Sequence, residues 1–303
     1  MIKKTLYFGN PFYLSYQNDQ MQVQVPHAKG IDKLLNNTIP VEDIGIVVLD
    51  NRQITISHHL ISKLLENNAA VITCNENHLP TGMLLNLDGN TLQQARFEAQ
   101  INVSVPLKKQ LWQQTIKAKI TNQASVLRSI GIDTQNMIYW AREVKSGDAD
   151  NHEARAAANY WSQIFPADLN FRRRRDGDAP NNLLNYGYAI LRATVARALV
   201  ATGLLPTLGI FHRNQYNAYC LADDIMEPYR PFVDKMVREM VMSGQSYDTI
   251  NQSHKKELLS IPTLDICIDG KRSPLMVGLQ RTTASLYECF EGSNRKIIYP
   301  EML

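Results

Sequence analysis

Residues 110–130, QLWQQTIKAKITNQASVLRSI, decide the class of most of the chain. Leu111, Thr115, Ala118 and Ile120 recur at roughly helical spacing, and the lysines are expected opposite them on a solvated face. The same period persists toward the C-terminus. HEARAAANYWSQIF (152–165) is Ala-rich and stops before Pro166, and NLLNYGYAILRATVARALVATGL (182–204) runs from an Asn cap to Gly203, a helix-ending signal. FVDKMVREMVMSG (232–244) and TTASLYECFEG (282–292) predict two further helices. Trp112, Trp140 and Trp161 fall at apolar helical positions and are expected in the core.

Toward the N-terminus the pattern changes from about Leu92 backwards. TLYF (5–8), the turn Gly9-Asn10-Pro11, FYLSYQ (12–17), the turn Asn18-Asp19 and MQVQVP (21–26) follow one another. Met21, Val23 and Val25 alternate with Gln22 and Gln24, the period of a half-buried strand. IGIVVLD (44–50) is continuously apolar, as a central strand would be. ITISHHLISKLLENNA (54–69) switches to one helix, with Leu60, Leu64 and Leu65 on a face and Ser57 as its N-cap. AVITCN (70–75) and TGMLLNL (81–87) add short strands. The expected class is α+β: a small, mostly β domain over residues 1–90, then a larger all-helical domain over 91–303.

The 303 residues carry 32 Lys and Arg against 29 Asp and Glu. Residues 1–100 hold 7 basic and 9 acidic side chains, leaving 25 and 20 in the remainder. The basic excess therefore lies in the C-terminal two-thirds, a mild indication of a polyanionic partner there. Four cysteines stand far apart with no CxxC pair, as expected of reduced thiols in a cytoplasmic protein. MIKKTLYFGN (1–10) lacks the sustained apolar core of a signal peptide, and no run of about 18 apolar residues exists to span a membrane. No GxxxxGK[ST] phosphate loop is present.

One segment is chemically unusual. GIFHRNQYNAYCLADDIMEPYRP (209–231) places His212, Asp223, Asp224 and Glu227 within an apolar run. On a helix from Cys220 to Glu227 the three acids would share roughly one face, where like charges repel and a cation would relieve them. Continuous helix would put His212 about 22 Å from Glu227, so a shared ion requires the chain to fold back at HRNQYN. Glu153, in GDADNHEARAAANYW (147–161), offers a third ligand from another helix. Two carboxylates and an imidazole suit Mg²⁺ or Mn²⁺. Residue chemistry alone favours plainer roles: Glu153 as a first-turn acid complementing the helix dipole, and Asp223 and Asp224 paired with Arg213 or Arg230.

Five blocks, taken in order, resemble a known family. They are TLYFGNPFYLS (5–15), CNENHLPTGMLL (74–85), GDADNHEARAAANYWSQIF (147–165), NNLLNYGYAILRATVARALVATGLLPTLGIFH (181–212) and NAYCLADDIMEPYRPFVD (217–234). Together the chain resembles the CRISPR-associated spacer-acquisition integrases, the first Cas protein, in the form found in type II systems. The resemblance implies that Glu153, His212 and Glu227 bind a divalent metal, Mg²⁺ or Mn²⁺, with Asp224 as a supporting active-site residue. It implies transesterification, in which the 3′-hydroxyl of a short double-stranded DNA fragment attacks a phosphodiester at the edge of CRISPR repeat DNA. It further implies a homodimer using the β domain for its contacts, with the small second Cas protein bridging two dimers. The type II effector nuclease and a ring-shaped accessory protein are further implied partners. A DNA-binding scaffold without catalysis, and a general metal nuclease acting on branched DNA, are the competing functions. For DNA contact the candidates are Arg172, Arg173, Arg174 and Arg175 in NFRRRRDGDAP (170–180), Tyr188 and Arg192 four apart on one helix, and Arg230. A tyrosine on an apolar helix equally fits the core.

Overall fold

Where the sequence alternates, the computed structural model, which describes residues 2–26 and 37–302, has strands. They belong to the first of two compact units, Met1–Thr91. Its strands are β1 (Lys4–Phe8), β2 (Tyr13–Gln17), β3 (Gln20–Gln24), β4 (Asn37–Pro40), β5 (Ile44–Leu49), β6 (Thr55–Ile56), β7 (Ala70–Cys74) and β8 (Pro80–Leu84), with the helix α1 (His58–Glu66) between β6 and β7. One sheet has the order β1-β5-β7-β8, with β1, β5 and β7 parallel and β8 antiparallel. The other has the order β4-β3-β2-β6. Asn18 and Asp19 both take positive φ, 51° and 59°, which is the two-residue turn that matches the twist of the β2–β3 hairpin. The continuous apolar run becomes β5, whose Ile44, Ile46, Val47 and Val48 are fully buried. Ser57 caps α1 by accepting from the Leu60 N–H, and Leu60 and Leu64 pack into the core with Leu14, Met21 and Val71.

The second unit, Leu92–Leu303, is mostly helical. It contains α2 (Gln93–Ile101), α3 (Val105–Ser129), α4 (Gln135–Glu143), α5 (His152–Trp161), α6 (Asn181–Ala201), α7 (Cys220–Met226), α8 (Arg230–Met242), α9 (Gln252–Leu258) and α10 (Leu275–Glu291). The 25-residue α3 starts on a Ser104 cap and runs beside α4, α5, α7 and α8. α6 is buried on nearly every face, packing against α7, α8, α9 and α10. Trp112 of α3 is buried, while Trp140 and Trp161 are half-buried.

The helical expectation missed one feature of this unit, a three-stranded sheet. Strands β9 (Asp265–Ile268), β10 (Lys271–Pro274) and β11 (Pro300–Glu301) pair antiparallel in the order β10-β9-β11. The Asp269-Gly270 turn, with φ of 52° and 67°, closes the β9–β10 hairpin. Among the described residues no helix is long and apolar enough to cross a membrane.

Candidate active site

The site lies within the second unit, where a folded-back loop and three helices bring the charged residues together. The loop comes first. After Gly203 the chain leaves α6, and the turn in which Asn217 N–H donates to the Asn214 carbonyl returns it to α7. Asp224, fully buried on α7, organises this return. Its Oδ2 accepts the N–H groups of Ile210 at 2.7 Å and Phe211 at 2.9 Å. Its Oδ1 accepts the N–H of His212 and the ring Nδ1 of the same residue. The wrap needs Gly209, because a Cβ there would lie 2.4 Å from the His212 carbonyl oxygen and 2.8 Å from Asp224 Oδ2. Trp112 of α3 supports the other side: its ring stacks flat on Phe211 at 4.2 Å and meets His212 edge-on. His212 is thus fixed through Nδ1, which leaves Nε2 as the acceptor in the neutral tautomer that Asp224 selects. The Asp224 hydrogen bond, working against burial, raises the pKa of His212 above its ordinary value.

Glu153 is positioned by a different device. Gly147, Asp148 and Asn151 all adopt positive φ, turning the chain into α5. Asp148 then accepts from the N–H groups of His152 and Glu153, one on each carboxylate oxygen, both at 2.9 Å. With the helix start satisfied by Asp148, the Glu153 side chain serves elsewhere. Its Oε1 lies 2.7 Å from the Lys119 ammonium.

Glu227 meets the same ammonium from the other side, its Oε2 also 2.7 Å from Lys119 Nζ. Pro228 does not end the helical path here. α7 tightens into a 3-10 turn, Glu227–Tyr229, which passes straight into α8. Arg230 Nε stands 3.0 Å from Glu227 Oε1. Burial pushes the Glu227 carboxyl up, but Arg230 and Lys119 outweigh it and hold the group below its ordinary value. Lys119 is the reverse case: burial pushes it down, and Glu227 and Glu153 raise it above the ordinary value.

The three acids of the 209–231 segment therefore do not share one task. Asp223 turns to Arg192 Nε and Asn217 Nδ2, each at 2.7 Å, Asp224 to His212 and its loop, and Glu227 to Lys119 and Arg230. Glu153 and Glu227 are brought together, and His212 is paired with Asp224. Among the described residues no three His, Cys, Asp or Glu side chains are grouped to hold a metal ion, and the point between the two glutamates is taken by Lys119. The donor set nonetheless fits a small divalent cation. Two carboxylates already converge on one positive charge, the Lys119 ammonium 2.7 Å from an oxygen of each. A third donor, His212 Nε2, is left unused by Asp224.

The basic candidates separate into packed and exposed groups. Tyr188 is buried, its hydroxyl donates to Asp234, and the guanidiniums of Arg230 and Arg173 stand over its ring at 4.7 and 5.3 Å. This is the packing role that a tyrosine on an apolar helix fits. Arg173 also donates to Asn181 Oδ1 and Asn185 Oδ1, both at 2.8 Å, which ties the arginine run to the start of α6. Arg192 is engaged by Asp223, and Arg172, Arg174 and Arg175 are exposed. Sequence reasoning overlooked the parts played by Lys119 and Asp148, and placed Trp112 in the core without its stacking on Phe211. For Lys119 a signal existed, since it falls four residues after Thr115 and eight after Leu111, on the buried stripe.

Comparison with known proteins places the chain in a family. The family model for CRISPR associated protein Cas1 matches residues 7–260. A relative named CRISPR-associated endonuclease Cas1, from Neisseria meningitidis serogroup C (strain 8013), is 35% identical over 306 residues, covering 100% of this chain and 97% of its own length. Among solved structures, "Casposase bound to integration product" superposes with a TM-score of 0.77 at 18% identity, over 98% of this chain and 92% of the other. "Cas6-RT-Cas1--Cas2 complex" superposes at 0.76 and 18% identity, over 99% of this chain and 36% of the other. At these identities the superpositions speak for the fold, whereas the matches in sequence run through both units. The chain belongs to the CRISPR associated protein Cas1 family.

Proposed function

We propose that the protein is a divalent-metal-dependent endonuclease and integrase of CRISPR adaptation, which joins the 3′-hydroxyl ends of short DNA fragments to CRISPR repeat DNA. The observation that carries this is the meeting of Glu153 and Glu227, from two separate elements, around one cationic position. The Neisseria relative, named an endonuclease, and the casposase bound to its integration product support the same class of reaction.

In the proposed reaction the 3′-oxygen of the fragment bonds to the scissile phosphorus while the bond from phosphorus to the repeat's own 3′-oxygen breaks. The attacking hydroxyl gives up its proton and the leaving oxygen takes one up, so the phosphodiester count is unchanged and no ATP is required. Glu153, Glu227 and His212 Nε2 would hold Mg²⁺ or Mn²⁺. A bound ion supplies a lowered pKa for the attacking hydroxyl and charge to offset the phosphate. Asp224 keeps the His212 ring in one tautomer and one orientation. Arg230 stays on Glu227 Oε1, so Oε2, the oxygen now against Lys119, is the one that would meet the ion. The exposed Arg172, Arg174 and Arg175 contact DNA phosphates. The first unit supplies the homodimer contacts. The likeness to a Cas6-RT-Cas1--Cas2 complex supports assembly with the small second Cas protein. The type II form, with its effector nuclease and ring-shaped accessory protein as further partners, rests on the resemblance of the five sequence blocks between residues 5 and 234.

A strand-transfer assay tests the proposal. Purified protein and its small partner are mixed with a short duplex bearing 3′-hydroxyl ends, a supercoiled plasmid carrying the repeat array, and Mg²⁺ or Mn²⁺. Joined products are expected from the wild type, falling at least about a hundredfold in Glu153→Ala, His212→Ala and Glu227→Ala and vanishing with EDTA. Nicking without joining would favour the general nuclease. Binding without either would leave a scaffold.

A further inference from the structure

Lys119 sits where a metal bound by the two glutamates would have to sit. Its side chain is 12% exposed, and its ammonium lies 2.7 Å from Glu153 Oε1 and 2.7 Å from Glu227 Oε2. Oxygen ligands approach Mg²⁺ at about 2.0–2.1 Å. A metal ion at that distance from both carboxylates and an ammonium at contact distance from both would therefore compete for the same point, with like charges facing each other. Both contacts are at hydrogen-bond length, so the one ammonium is shared between the two carboxylates. Lysine is a compact charge on a flexible four-carbon stem.

We propose that Lys119 is a tethered counterion: it holds Glu153 and Glu227 together and competes with a divalent metal ion for them. Lys119 is thus a positioning residue that acts through the two glutamates. Without its charge the paired carboxylates repel each other and attract a divalent ion more strongly. With an arginine in its place, a planar fork of donors can engage both carboxylates at once and hold them against the ion. The inference rests on Glu153 and Glu227 being metal ligands.

The test is Mn²⁺ binding to the full-length protein, by isothermal titration calorimetry and by the electron paramagnetic resonance signal of free Mn²⁺. It compares wild type, Lys119→Gln, Lys119→Arg, Glu153→Gln and Glu227→Gln. Lys119→Gln is expected to bind Mn²⁺ about tenfold tighter than wild type, and Lys119→Arg about tenfold weaker. Lys119→Gln should also melt lower without Mn²⁺ and gain a larger upward Tm shift with it, a signature that an ordinary ion pair would not produce. Unchanged or weaker binding in Lys119→Gln overturns the competition while Glu153→Gln and Glu227→Gln still show the metal site. If Lys119→Gln does not fold, Lys119→Arg decides alone, and affinity equal to or above wild type overturns the proposal. A wild type that takes up no Mn²⁺, or glutamine variants that bind it as tightly, removes the metal site itself and this inference with it.

Discussion

At the scale of single residues, the helical unit uses burial to set charge states even away from Glu153 and Glu227. Asp234 is 1% exposed and accepts hydrogen bonds from the hydroxyls of Tyr160 and Tyr188. Burial pushes its carboxyl up to about 7, although both tyrosines favour the charged form. The ordinary value is 3.8, so the folded protein binds this proton more tightly than the unfolded chain does. Stability from this group is therefore fully present below the unfolded value and is lost as pH rises through about 7. Between pH 5 and pH 8 the loss amounts to about 3 kcal/mol. Asp234→Asn cannot ionise, and its stability should lack that decline. Urea unfolding of both proteins at the two pH values measures it: the wild type should weaken relative to Asp234→Asn as pH rises. Parallel curves would mean that Asp234 is already ionised in the fold, held so by Arg230 and Arg173 across the Tyr188 ring.

At the scale of elements, the decisive construction is the loop before α7 wrapped around Asp224. Replacing Gly209 by Ala puts a methyl group 2.4 Å from the His212 carbonyl oxygen, and backbone cannot yield as a side-chain tip can. Gly209→Ala is expected to lower stability by about 1–3 kcal/mol and to cost strand transfer in proportion to the displacement of His212. A thermal melt and the joining assay check it, and a variant that melts and joins like wild type would show that the loop has room to move. The fold-back itself was legible, because a shared site demanded it and the Asn residues at 214 and 217 can make the turn. The supposed common face of Asp223, Asp224 and Glu227 was not. Asp223 and Asp224 are about 100° apart on a helix, and α7 gives way at Glu227 to the tighter 3-10 turn, so three directions result. The β9–β10 hairpin was visible as Asp269-Gly270 between DICI and KRSP, a strong local signal masked by the helical runs on both sides. Lys119 was assigned to the solvated face because lysine is usually there. The position four residues beyond Thr115 pointed inward, and only the carboxylates of two distant segments explain why a charge is tolerated on it.

At the scale of the whole molecule, alternating and helical periods divided the chain legibly into a strand-rich first unit and a mostly helical second one, because burial on one face imposes those periods. Charge follows the same division, with the basic excess in the C-terminal two-thirds. The arginine run is part of that excess. Arg173 is committed to Asn181, Asn185 and the Tyr188 ring, and so fastens the segment to α6. Arg172, Arg174 and Arg175 remain exposed, three positive charges on an anchored loop. Such charges bind phosphate by releasing condensed counterions, and each contact to duplex DNA adds about 0.9 to the slope of log affinity against log salt. Replacing Arg172, Arg174 and Arg175 together by Ala should lower that slope by about 2–3, weaken duplex binding regardless of sequence, and leave the Tm within about 2 °C of wild type. Fluorescence anisotropy from 50 to 300 mM salt, a range of about sixfold, reads the slope directly. An unchanged slope would assign the run to the surface of the fold and move the DNA path elsewhere on the helical unit. Replacing Arg173 alone should give the opposite pattern, a lower Tm with the slope nearly intact, because that guanidinium is spent on protein contacts.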